Sequence, residues 1–462
     1  MGMTSILSTL SIGLLGLGLL MGIPAIHASL LGGDNAPWLY AGFVTLAVGA
    51  GLFAATGTKR PPSDFRGGLL LVFLWWTIAP LFAALPLILN GASIGDGLFE
   101  SISALTTTGA WLSIETLVGD PTGLLWRALL QWVGGLVSIA FAAAIIVRPA
   151  FYGLERLHVP FSRGDDDSYL RSFHNGLVFF AGVYLLMTLA AFIVLSLGNI
   201  EMFDAAIMAL SLPASGGMIP HSDGFAGYDA RLPSLMVPFI MFSGMNFLFI
   251  SFVMRGTWNK VQDNETETYV VMIFVLGILF WVLAGAGDID LIPAQWFNAA
   301  SLLSTNGYIL GEMPPLPVAI ITALVGGAAV SSAGGFKIQR WLVIMARARE
   351  EIRKLVLPNA IQGTAKIKNE LGVWMHFLAF TFVLGALTLS FTFTGHSFEL
   401  ATTAAVATLS NAGPLLAIAQ GGLADYGAFD SVSKAIMSIA MILGRVEAVA
   451  ALALFNRAFW LS

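Results

Sequence analysis

Apolar residues run along this chain in blocks of about 20, each long enough as an α-helix to cross about 30 Å of hydrocarbon. Short polar or charged connections separate the blocks. Ten spans are predicted on this pattern, at roughly 4–26, 38–57, 68–90, 124–148, 174–197, 233–255, 269–286, 317–347, 371–394 and 433–459. Most contain Gly or Pro, which membrane helices tolerate. The first span lacks a basic start and a clean small-residue cleavage site, so it reads as a mature helix rather than a removable leader.

Composition agrees with the pattern. Of 462 residues 57% are hydrophobic and 11% charged, with a mean hydropathy of +0.83. A water-soluble chain would have to hide too much apolar surface, so the fold class predicted is all-α and polytopic in a membrane. Cysteine is absent, which removes disulfides, thiolate metal sites and cysteine nucleophiles.

Charge sets the orientation. Lys59, Arg60 and Arg66 follow the second span, Arg148, Arg156, Arg163 and Arg171 the fourth, Arg255 and Lys260 the sixth, and a run from Arg347 to Lys368 the eighth. All these connections lie on one side, which the positive-inside rule makes cytoplasmic together with both termini. The opposite connections are acidic, with Glu100, Glu115, Asp120, Glu201, Asp204, Asp223, Asp229, Asp288, Asp290, Glu312, Asp425 and Asp430 against Arg127, Arg231 and Lys434. Such a face attracts cations, although topology by itself explains the asymmetry equally well.

The outer connections carry a repeated signal. Four of them hold a short apolar stretch that ends in small polar residues and glycine: GLFESISALTTTGA, EMFDAAIMALSLPASGG, QWFNAASLLSTNG and HSFELATTAAVATLSNAG. Each opens near an aromatic, Phe99, Phe203, Phe297 or Phe398, and closes at Gly109, Gly216, Gly307 or Gly413, at intervals of 107, 91 and 106 residues. Spans three to ten therefore resolve into four units of helix, re-entrant segment and helix. Irregular backbone at membrane depth survives only where it is buried or lines water, a condition that four segments converging on one axis would meet together. A half-helix entering from outside aims its carbonyl end at the membrane centre and favours a cation there. The returning backbone can turn its carbonyls inward to replace an ion's hydration shell. Glycine permits the dihedrals, and threonine holds the loop from behind by hydrogen bonding. Any one loop could equally be polar packing glue between helices; the repetition carries the reading of a cation filter.

Two further features lie on the same path. The eighth span contains VGGAAVSSAGGFKIQRW, and residues 326–335, almost wholly Gly, Ala and Ser, should break the helix. A small-residue packing seam in an unbroken helix is the alternative. In the last span Arg445, in MILGRVEAV, is costly in hydrocarbon and should face a cavity or a carboxylate, while Glu447 points away from it. A structural ion pair at the cytoplasmic end is the competing reading for Arg445. The six histidines show no metal-ligand spacing, and no phosphate-binding glycine motif or catalytic Ser/His/Asp set is present in the sequence. Units sharing one orientation also differ from the inverted repeats of organic-solute transporters.

With these residues in view the chain resembles the Trk/Ktr/HKT superfamily of potassium transporters, and within it the bacterial TrkH subfamily, over essentially its whole length. TTTGA and LSNAGP match the first and fourth family loops; the second departs at Pro213 and Ser215, and the third at Asn306. The resemblance implies ten transmembrane helices, with residues 1–66 as an N-terminal helix pair and pore repeats at 67–165, 166–262, 263–360 and 361–462, arranged with pseudo-fourfold symmetry around a central pore. It implies a potassium filter built by Thr107, Thr108, Gly109, Ser215, Gly216, Asn306, Gly307, Asn411, Ala412 and Gly413. It implies a gate formed by Gly326, Gly327, Gly334, Gly335 and Lys337 with Arg445 projecting into the pore. Family members with serine at the first glycine tend to pass sodium, which Gly109 argues against. The expected activity is potassium uptake across a bacterial inner membrane, without an organic cofactor in this chain and without enzymatic chemistry or nucleic-acid binding. A potassium/sodium symporter or a non-conducting sensor on the same fold is the alternative. A homodimer, and a cytosolic nucleotide-binding TrkA-like ring docked on the face that includes residues 347–370, are the implied partners.

Overall fold

The computed structural model describes residues 3–57, 65–146, 169–254, 256, 264–285, 288–356 and 370–446, and every regular element among them is helical. The basic residues Lys59, Arg60, Arg148, Arg156, Arg163, Arg255 and Lys260, together with Glu447 and positions 357–369, lie outside the described residues.

Among the described residues seven helices are long and apolar enough to cross a membrane: Met3–Leu30, Ala36–Thr56, Arg66–Leu89, Pro121–Ala144, Gly176–Leu197, Asn264–Gly285 and Leu371–Phe393. Large apolar side chains such as Phe43, Ile193, Phe274, Phe382 and Phe393 remain exposed on them, the surface a lipid solvent requires and water would oppose. This is a multi-pass membrane protein.

The sixth predicted span, 233–255, is not continuous. Leu232–Gly244 and Phe247–Met254 meet at 109°. Met245 is extended, Asn246 Oδ1 accepts from the Leu248 amide at 3.0 Å as a new helix start, and the Phe247 N–H leaves the ladder for the Val330 carbonyl at 2.8 Å. The eighth span breaks where its composition predicts: Leu316–Val325 ends at Gly326, and the chain becomes helical again only at Ile338–Val356.

Four shorter helices, Ile94–Leu105, Met202–Ser211, Ile292–Leu303 and Phe398–Leu409, sit among the long ones. At 1.5 Å per residue each reaches about 15–18 Å, half a bilayer. Their starts are marked in sequence. Ser93 and Ser397 cap the first and fourth through the amides of Asp96 and Leu400, and Asp96, Asp204 and Glu399 place negative charge in the first turn of three of them. Their flanks are small: Ala401, Ala404, Ala405 and Ala407 are fully buried, which lets neighbouring helices approach closely.

Behind the first short helix lies a buried ion pair. Arg127 donates from Nε to Glu100 Oε2 at 2.8 Å, and Nη2 contacts the same oxygen. Both residues read as outer-face charges in sequence, yet Glu100 is 4% and Arg127 8% exposed, so neither contributes to an open acidic surface.

Candidate functional site

The four short helices end in one backbone pattern. Thr107, Ser215, Thr305 and Asn411 adopt φ of 54°, 54°, 57° and 50°, the left-handed region that residues other than glycine rarely enter. Their amides close tight turns onto the carbonyls of Ala104, Leu212, Leu302 and Thr408 at 2.9, 3.1, 3.1 and 3.3 Å. Two residues later come Gly109, Gly217 and Gly307, with φ of 72°, 64° and 75°. This register sets Gly217, rather than its neighbour Gly216, in line with Gly109 and Gly307.

Side chains repeat the pattern. Ser103 Oγ accepts from the Ala110 amide at 2.7 Å, and Ser211 Oγ from the Met218 amide at 3.2 Å, seven residues on in each case. In the fourth loop the equivalent residues are Ala407 and Pro414, one without a hydroxyl and the other without an N–H. That loop turns differently: residues 413–415 form a short 3-10 turn, and Gly413 lacks the positive φ.

The loops close on one another. A methyl group at Gly109 would strike the Gly216 carbonyl oxygen, and one at Gly217 the Asn306 carbonyl oxygen. One at Gly307 would lie 3.0 Å from Pro414, and one at Gly413 would lie 2.7 Å from the Thr108 oxygen. The Gly413 N–H donates to that Thr108 oxygen at 2.7 Å. The structure thus brings Thr107, Thr108, Gly109, Ser215, Gly216, Asn306, Gly307, Asn411, Ala412 and Gly413 together from segments about a hundred residues apart, all of them buried.

Polar side chains brace this collar. The Thr106 and Thr108 hydroxyls lie 2.8 Å apart, and Asn411 Nδ2 donates to Thr108 Oγ1 at 2.9 Å and to the Met441 carbonyl at 3.0 Å. Gln131 donates to the Gly216 carbonyl at 2.8 Å, Asn306 Nδ2 to Ser243 Oγ at 2.9 Å, Tyr308 to the Met218 carbonyl at 3.1 Å and Tyr426 to the Gly413 carbonyl at 2.7 Å. Gln131, Ser243, Tyr308 and Tyr426 carry no local sequence signal, because their partners lie 13 to 90 residues away in the chain. A detectable signal existed for one support, the serine seven residues ahead of Ala110 and again of Met218. Oδ1 of Asn306, Oδ1 of Asn411 and Oε1 of Gln131 are buried without a hydrogen-bond donor among the described residues. The collar thus keeps buried oxygen lone pairs, the kind of ligand that hard metal cations take.

Directly beneath, residues 326–337 form a hairpin whose ends cross at Gly326 and Gly335, both left-handed at φ 73° and 77°. A side chain at Gly326 would strike the Gly334 carbonyl, and one at Gly335 would lie 2.7 Å from Gly326 Cα. Gly327 accepts from the Ile338 amide at 3.0 Å, and the Ala328 amide donates to Gly244 at 2.8 Å. Lys337, itself at φ 79°, folds its ammonium back onto the Ala333 carbonyl. The hairpin touches the underside of the collar at several points. Ser332 donates to the Pro213 carbonyl at 2.7 Å, the Gly334 amide to Thr305 Oγ1 at 2.8 Å, and a side chain at Gly334 would strike the Ser410 carbonyl.

Arg445 joins the two layers. It donates from Nε to the Thr106 carbonyl at 2.5 Å, from Nη1 to the Ser332 carbonyl at 2.7 Å, and from Nη2 to the Thr107 hydroxyl. These three partners are oxygens of the first loop and of the hairpin. A cavity below the collar is lined by Arg445, Lys337, Arg340, Gly334 and Gly335.

At the start of the first short helix Lys434 donates to Asp96 at 2.8 Å, and this ammonium holds the Asp96 carboxyl below its ordinary range. Asp204 accepts from the Tyr228 hydroxyl at 2.7 Å, but burial outweighs that bond and pushes its carboxyl up. On the opposite side, at the end of Ile338–Val356, Arg347 and Lys354 form exposed helical ion pairs with Glu350 and Glu351.

With this geometry in place the chain can be set beside known proteins. The profile of the TrkH family, described as a cation transport protein, matches residues 38–460. The Trk system potassium uptake protein TrkH of Halomonas elongata is 28% identical over 465 residues, covering 95% of each chain. That of Escherichia coli K12 is 29% identical, covering 90% of this chain and 91% of its own. The crystal structure of the potassium transporter TrkH from Vibrio parahaemolyticus superposes with a TM-score of 0.86 at 27% identity, covering 100% of both chains.

Proposed function

We propose, given that this chain belongs to the TrkH family of cation transport proteins, that it is the membrane subunit of a Trk-type potassium uptake system. On this reading the chain crosses ten times, counting the seven long helices, the bent pair, the broken 316–356 segment and the helix beginning at Ser431 as one crossing each. In the same reading the pore repeats are 67–165, 166–262, 263–360 and 361–462.

One observation carries the reading. Four non-glycine residues at equivalent positions, Thr107, Ser215, Thr305 and Asn411, all hold the left-handed conformation, and the loops that follow close on one another. Left-handed backbone costs about 1–2 kcal/mol per residue, and four repetitions at one place need a function that requires the resulting carbonyl directions. A dehydrated potassium ion offers one: peptide oxygens replace its water, and the negative ends of four short helices favour its charge.

The hairpin 326–337 acts as the gate below this filter, and Arg445 as its latch. While Ser332 remains bonded to Arg445, the guanidinium sits at the base of the first loop and opposes the passage of a cation. Opening withdraws the hairpin and frees Ser332 from Arg445 and Pro213 together. A cytosolic nucleotide-binding ring would supply the bias from the cytoplasmic face around the end of Ile338–Val356, and two copies of the chain would form the complete transporter in a bacterial inner membrane.

Rubidium or potassium influx into proteoliposomes, with sodium as competitor, tests the proposal. Potassium-selective uptake that rises when residues 328–333 are shortened is the expected result. Intact, folded protein that carries neither ion would overturn it and favour a sensor.

A further inference from the structure

The fourth loop does not copy the other three, and its departure puts a proline where they converge. Methyl groups placed at Gly109, Gly217 and Gly307, the three left-handed glycines, would come within 3.6, 2.7 and 3.0 Å of the Pro414 ring. Three different loops thus face one pyrrolidine. The ring is held there from two sides. The preceding Gly413 amide donates to the Thr108 carbonyl at 2.7 Å, and the Gly413 carbonyl accepts from the Tyr426 hydroxyl at 2.7 Å. Tyr426 is fully buried, packed against Phe99 and Phe429, and its own amide donates to the Trp111 carbonyl, so the tether is anchored in the segment that follows the first loop.

We propose that Pro414 sets both rate and selectivity in the filter: its ring occupies the point where the other loops converge, and an ion passes only when the 413–415 turn swings off Thr108. Proline's locked φ makes the ring move with the backbone rather than by changing rotamer, so the motion falls on Gly413, which tolerates it. The swing breaks the Gly413 bond to Thr108 and releases that carbonyl toward the ion. In its closed position the turn presents an apolar ring in the quadrant where a fourth carbonyl would otherwise stand. This proposal rests on the four-loop filter described above.

Pro414→Ala and Tyr426→Phe in the full-length chain, reconstituted in liposomes, separate the two ideas. Tyr426→Phe loosens the tether and should raise potassium influx about fivefold, the population shift expected from one lost hydrogen bond. Pro414→Ala should raise influx by at least as much and let sodium compete where it is excluded from the unaltered protein. If the unaltered protein carries potassium while both variants keep its influx and its sodium exclusion, Pro414 has no such role although the filter stands. If the unaltered protein carries no potassium, the filter reading falls and this one with it. Should Pro414→Ala fail to fold, Tyr426→Phe decides by the same two readouts.

Discussion

Alanine at Gly217 is expected to abolish most potassium uptake, whereas alanine at its neighbour Gly216 should not. Gly217 has φ of 64°, and placing a β-carbon in that conformation costs about 1–2 kcal/mol, which at 1.4 kcal/mol per decade is about 5- to 30-fold in the population of the competent loop. The new methyl would also strike the Asn306 carbonyl and lie 2.7 Å from the Pro414 ring, and neither can rotate away as a flexible side chain would. Influx should therefore fall at least about tenfold. Gly216 is not in the left-handed region, and the nearest atoms its methyl would meet belong to the Gln131 amide. That side chain can swing aside at the loss of its bond to the Gly216 carbonyl, a cost of about 1 kcal/mol, or about fivefold at most. The assay is rubidium influx into proteoliposomes, scaled to the amount of folded protein. Loss of uptake in Gly216→Ala with retention in Gly217→Ala would refute the register.

Three further outcomes follow from the geometry. Arg445→Ala removes a charge that, at about 8 Å and an effective dielectric of about 20, opposes a cation by about 2 kcal/mol, so influx should rise about tenfold or more; unchanged flux would return Arg445 to a structural role. Glu100→Gln leaves the Arg127 charge buried and should destabilise the fold by about 3–5 kcal/mol, read as a fall in Tm, with recovery in the Glu100→Gln, Arg127→Met double variant; an equal loss in the double variant would argue against the pair. Asp96→Asn removes the Lys434 pair, partly open to water and contributing about 1 kcal/mol or less. Because the folded Asp96 carboxyl titrates below its ordinary 3.8, the stability gap between this variant and the unaltered protein should be full at neutral pH and close as pH falls below 3.8; a gap that persists in acid would contradict the ion pair.

Much of the site was legible before folding. The four loops, their closing glycines, the helix-breaking stretch at 326–335 and the isolated Arg445 are all local departures from an apolar background, and a lipid solvent tolerates few such departures without a reason. Other features were hidden for definable causes. Two adjacent glycines in SGG read alike, and only the left-handed Ser215, two residues before Gly217, distinguishes them. The helix break at Met245–Asn246 owes its shape to the Val330 carbonyl, on another segment.

The chain by itself determined that it is an all-helical membrane protein with four short apolar segments ending in small polar residues and glycine, because hydrophobic run length and glycine content act over neighbouring residues. Tertiary structure alone decided which oxygen meets which donor. Glu100 and Arg127 read as two surface charges until packing buried them together, and Arg445 read as an arginine facing a cavity or a carboxylate until the fold brought it to Thr106, Thr107 and Ser332. Pro414 read as the end of a motif until three other loops closed around it. Those contacts join atoms separated by tens to hundreds of residues, and no local pattern encodes a distance across the bundle.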